Sequence, residues 1–134
     1  MTLNKEDRNT IVAHRLQKAK ATLAEAKGNI EMGFWHTAAN RLYYTCYYAV
    51  TALLIKNGHS THTHNGVFTL LGKHFVLEGY VTKEQNKLYG KLLELRYTGD
   101  YDDKIIIKKE DIMPLFEPAE KFIEEIEKLI NKEL

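Results

Sequence analysis

The chain has 134 residues, 44% of them hydrophobic and 28% charged, with a net charge of +1. That length suits one domain with one core spanning 1–134, and the near-zero charge excludes a global field that would gather nucleic acid or an anionic membrane. Phosphate binding would need a local cluster, the lone Cys46 excludes an internal disulfide, and no apolar run is long enough to span a bilayer.

From Asn4 to Ile30, the residues Ile11, Leu16, Ala19, Leu23 and Ala26 recur at helical spacing and predict an amphipathic helix. No secretory signal is visible in this polar stretch, so the cytoplasm is the expected location. Phe34 to Asn57 is the most apolar segment, with Ala38, Leu42, Cys46, Ala49, Val50, Leu53 and Leu54 widened by Tyr43, Tyr44, Tyr47 and Tyr48. A helix apolar over most of its circumference belongs at the centre of a bundle. After the polar loop His59 to Thr63, a third helix is expected from His64 to Glu78, stopped by Gly79.

Thr82 followed by Gln85 reads as a capping box that starts a fourth helix, which should end near Tyr97. Its inward residues are expected to be Leu88, Leu92, Leu93 and Leu95, with Gly99 to Lys104 as a loop. Ile105, Ile106 and Ile107 read as a connector lying on the bundle. The last helix should begin near Lys109 to Asp111. Pro114 is tolerable in its first turn, whereas Pro118 should kink it or force a later start. The sum is an all-α, up-down bundle of four to five helices with short connections.

Two arginine–tyrosine clusters stand out, Arg41 with Tyr43 and Tyr44, and Arg96 with Asp100 and Tyr101. An arginine in an apolar segment needs a partner. For Arg41 the candidates are Glu94 or Asp100 as ion-pair partners, or a bound anion. Arg96 and Asp100 are four apart on a helix and can pair with each other. The tyrosines can stack on a base or simply pack. Three histidines, His59, His62 and His64, crowd one loop, but no cysteine or carboxylate there completes a metal ligand set, so no metal or cofactor is expected. Lys104, Lys108 and Lys109 are offset by Asp102, Asp103, Glu110 and Asp111.

The string Ala38-Ala39-Asn40-Arg41-Leu42-Tyr43-Tyr44 resembles the second-helix signature of HEPN domains. Thr63-His64-Asn65-Gly66-Val67, the Phe75-Val76 pair, Gly79, and Arg96 to Tyr101 (with Gly99 in place of an alanine) resemble successive elements of one prokaryotic HEPN subfamily, as does Ala119 to Ile126. This resemblance covers roughly Ala21 to Ile130. It implies a helical bundle that is commonly a homodimer, often with a nucleotidyltransferase partner in toxin–antitoxin or defence systems. Active members are metal-independent ribonucleases in which an arginine is followed, four to six residues on, by a histidine. The arginine would hold phosphate and the histidine would move protons. Here the positions after Arg96 hold Tyr101, Asp102 and Asp103. An Arg8–His14 spacing matches by accident on the first helix.

The expectation is therefore a module that binds nucleotide or RNA, or serves a nucleotidyltransferase, through a groove of Arg41, Tyr44, His64, Arg96 and Tyr101. A ribonuclease using Asp100 or His64 in place of the missing histidine is the second expectation. Arg96, Asp100 and Tyr101 would be the catalytic candidates. A structural interaction domain is the third.

Overall fold

A computed structural model describes residues 4–134. Among them are five α-helices and no strand: α1 (Lys5–Glu31), α2 (Trp35–Lys56), α3 (His64–Leu71), α4 (Lys83–Tyr101) and α5 (Lys109–Ile130). The turn between α1 and α2 is so short that the two form an antiparallel hairpin, with Gly33 at a positive φ of 74°. Helix α2 packs against α1, α4, α5 and α3, and so occupies the centre. Twelve of its residues are buried, among them Leu42, Tyr43, Cys46, Val50, Leu53 and Leu54. Burial also pushes the Cys46 thiol well above its ordinary pKa, leaving it an inert core group.

Local chemistry sets the helix starts. Thr82 accepts a hydrogen bond from Gln85 N at 3.0 Å, and the Gln85 side chain accepts one from Thr82 N at 2.8 Å, completing the expected box. Thr63 caps α3 by accepting from Gly66 N at 2.9 Å. A Cβ on Gly66 would lie 2.7 Å from Thr63 Oγ1, so the cap and the loop close only over glycine.

Several expectations are corrected. Val12, rather than Ile11, enters the core from α1. The third helix does not stay α-helical to Glu78. From Gly72 to Val76 it widens into a π turn that carries the buried Phe75, with Leu77 N donating to Gly72 O at 3.0 Å. Helix α4 runs through Gly99 to Tyr101, because Gly99 serves close packing and not helix termination. A Cβ there would sit 2.9 Å from Ile107 Cδ1 and 3.2 Å from His36 Cε1. Of the connector isoleucines, Ile107 is buried, while Ile105 and Ile106 face solvent. Helix α5 starts at Lys109 and continues past Pro118. The stripe Ile112, Leu115, Ala119, Phe122, Ile123, Ile126 and Ile130 is buried on both sides of that proline. Packing thus carries the helix through the hydrogen bond that Pro118 cannot donate. Among the described residues, no helix is long and apolar enough to cross a membrane.

Leu42 has no exposed surface at the centre of α2. Leu42→Ala should lower unfolding stability by about 2–5 kcal/mol in urea denaturation.

Candidate functional site

Tyr89, Leu92 and Arg96 follow one another at helical spacing along the inner stripe of α4, and the first two are fully buried. That stripe carries Arg96 to the edge of the core, where only 17% of its side chain is exposed. Its guanidinium carbon lies 5.6 Å from the Tyr44 ring centre and 6.0 Å from that of Tyr43. Nε is 3.2 Å from Asp100 Oδ2, confirming the intrahelical pair. The geometry is that of charges in contact without an aligned hydrogen bond, and Nε–H has no hydrogen-bond acceptor among the described residues. Asp100 also faces His36 at the start of α2, with Nε2 at 3.9 Å from its Oδ1.

The same two tyrosine rings hold His64. Its ring centre is 5.5 Å from Tyr43, 5.8 Å from Tyr44 and 4.8 Å from Tyr47. The Tyr43 hydroxyl, on a ring with no exposed surface, is 2.6 Å from His64 Nδ1. His64 opens α3, where the sequence placed it in a candidate groove. The cap falls to Thr63, and the imidazole turns to Tyr43. Partial burial, and next the charge of Arg96, hold the His64 pKa below the ordinary histidine range. Burial above all pushes both the Tyr43 and Tyr89 phenols far up, so each stays protonated.

Arg41 sits on the outer side of Tyr44, with its guanidinium carbon 5.4 Å from the ring centre. Its ion-pair partner is Glu25 on α1, 3.4 Å away, and not Glu94 or Asp100. The reason is position: α1 covers that side of α2, and Asp100 is held by Arg96. Asn40 accepts from Arg41 Nη2 at 2.7 Å. The half-buried rings of Tyr44, Tyr47 and Tyr48 continue along α2, with Lys18 Nζ 4.7 Å from the Tyr48 ring centre.

The structure therefore brings Arg41, Tyr44, His64 and Arg96 together. Tyr101, expected beside them, lies at the exposed end of α4 and packs its ring on Tyr97 at 4.9 Å. Sequence reasoning overlooked Tyr43 as the partner of His64, and it overlooked His36. Spacing shows that His36, Ala39 and Tyr43 follow one another on one face of α2, but not which side chains that face meets. The loop histidines disperse. His59 stacks on His74 at 3.9 Å, and the described residues contain no cluster of three or more metal-ligating side chains. The assembled chemistry is a guanidinium for an anion, an imidazole, and phenol rings for a planar group.

Known proteins give the same architecture. The crystal structure of TT1696 from Thermus thermophilus superposes with a TM-score of 0.75 at 16% identity, covering 88% of this chain and 97% of that one. A UPF0332 protein of Thermotoga maritima is 36% identical over 93% of this chain and 95% of its own length. A Methanocaldococcus jannaschii protein named "Putative toxin MJ0605" is 30% identical over 97% of this chain and 96% of its own. A profile of the HEPN domain matches residues 12–129. With nearly the whole chain matched, this protein belongs to the HEPN domain family.

Proposed function

We propose that this HEPN protein is the toxin-type component of a two-component system whose partner is a nucleotidyltransferase, and that its groove binds the phosphate and base of RNA or a nucleotide. One observation carries the binding reading. Arg96 is largely buried, its Nε meets Asp100 at 3.2 Å without an aligned hydrogen bond, and the rest of its guanidinium reaches the edge of the core beside Tyr44. Nε itself has no surface for a ligand to reach, but a guanidinium only partly neutralised at the edge of the core suits a phosphate oxygen at its outer nitrogens. Half-buried Tyr44 and Tyr47 next to it suit a base ring. Two Methanocaldococcus relatives bear toxin names, which supports the setting. Binding is preferred over cleavage because the histidine that follows the arginine in HEPN ribonucleases is absent from Arg96 onward.

A metal-independent ribonuclease is the second reading, favoured by the arrangement around Asp100. This carboxylate lies between Arg96 at 3.2 Å and the imidazole of His36 at 3.9 Å. An imidazole steered by a carboxylate beside a phosphate-holding arginine is a plausible proton-transfer couple. The exposed rings of Tyr97 and Tyr101, with Ile106, form an apolar edge at the end of α4 that suits a homodimer contact.

Titration with a short single-stranded RNA, followed by tyrosine fluorescence, should saturate, and Arg96→Ala should weaken it about tenfold or more. A flat titration would remove the binding reading. RNA incubated with the protein in excess chelator separates the second reading: cleavage lost in both His36→Ala and Arg96→Ala would support it, and intact RNA would sink it. Sedimentation should show a dimer that Tyr101→Arg with Ile106→Arg converts to a monomer.

A further inference from the structure

Tyr43 is the one tyrosine of α2 with no exposed surface, and its hydroxyl has one hydrogen-bond partner, Nδ1 of His64 at 2.6 Å. A buried hydroxyl that leaves its proton unplaced loses the full desolvation cost of that donor. Nδ1 is the one aligned acceptor for that proton among the described residues, and with the proton placed there the Tyr43 oxygen stays free to face the neighbouring Tyr89 hydroxyl. Once Nδ1 accepts it, the imidazole hydrogen has to reside on Nε2.

We infer that Tyr43 is a positioning residue that locks His64 in its Nε2–H tautomer, so that a neutral imidazole presents a hydrogen-bond donor beside Arg96 for the same phosphate. This rests on the proposed binding function of the groove and specifies its chemistry. The lone pair that a general base would use is occupied by the Tyr43 hydroxyl. His64 thus serves as a donor to an anion and not as an acceptor of the substrate's proton.

The groups that face His64 are consistent with a neutral ring. Arg96 approaches from α4 and disfavours a second positive charge. Tyr43, Tyr44 and Tyr47 approach from α2 and bring aromatic surface and no carboxylate. Protonating His64 would place an N–H against the Tyr43 hydroxyl and force that buried proton to turn away, toward a neighbourhood whose nearest aromatic rings include the fully buried Tyr89. The Tyr89 hydroxyl, which has no aligned hydrogen bond among the described residues, is the neighbour that would have to take that proton, and its own proton would then be left unplaced.

The test is imidazole nitrogen NMR on the full, ligand-free chain at pH 7. The expected spectrum shows one neutral His64 tautomer with the proton on Nε2. Tyr43→Phe keeps the ring and removes only the hydroxyl. It should give a mixture of tautomers, raise the His64 titration midpoint, and weaken binding of a short single-stranded RNA about tenfold, as expected for one lost hydrogen-bond donor in a fraction of the molecules plus its misalignment. A proton on Nδ1 in the parent protein, or a tautomer unchanged by Tyr43→Phe, would overturn the inference. If Tyr43→Phe does not fold, the parent spectrum decides alone. Failure of the binding function is distinguishable: a flat RNA titration alongside the Nε2–H spectrum overturns the phosphate seat and upholds the lock.

Discussion

Helix α2 is apolar around most of its circumference, and the rest of the molecule is arranged to enclose it. Its buried residues fall on every side, from Ala38 and Ala39 to Leu53 and Leu54. A single neighbour cannot cover such a helix, so α1, α4 and α5 each take a sector, and the start of α3 lies on the tyrosines of its middle turns. The candidate site lies where this enclosure is incomplete. Between α3 and α4 the tyrosines of α2 reach the surface, and there the core stops being hydrocarbon and becomes phenol, imidazole and guanidinium.

That boundary explains the electrostatics. Arg96 ends a stripe whose other members are Tyr89 and Leu92, so its alkyl stem lies against the core while the guanidinium lies under aromatic rings. Asp100 neutralises part of the charge from one turn later without forming an aligned hydrogen bond. Burial disfavours the charged form of His64, and the residual field of Arg96 disfavours it further. Arg41 is different in kind. It pairs with a well-exposed Glu25, an arrangement that contributes less than about 1 kcal/mol to stability in general. The two arginines look alike in the sequence and differ because one lies on a core stripe and the other on a rim.

The fold was largely legible. Five helices, the Thr82–Gln85 box, the glycine stops and the central place of α2 follow from periodicity and capping. What escaped were features decided by tertiary contact. Gly99 has the sequence character of a stop but is helical, because the connector presses Ile107 onto it. Pro118 allowed a later start, yet the buried stripe of α5 lets the helix run through it from Lys109. In the site, the meeting of Arg41, Tyr44, His64 and Arg96 could be anticipated from the family resemblance, whereas the partners could not. Arg41 chose Glu25 across a helix pair, and the buried Tyr43, not the exposed Tyr101, joined the histidine. Side-chain pairing depends on helix rotation and axial offset, which spacing along one chain does not encode.

His36 from α2 and Ile107 from the connector both come within van der Waals reach of the atom a larger residue would add at Gly99. A larger residue at position 99 therefore has to displace two side-chain ends, Ile107 Cδ1 and the imidazole of His36. Alanine at this place would press on His36, the residue that faces Asp100. A single added methyl on α4 would thereby be transmitted through His36 to the carboxylate beside Arg96.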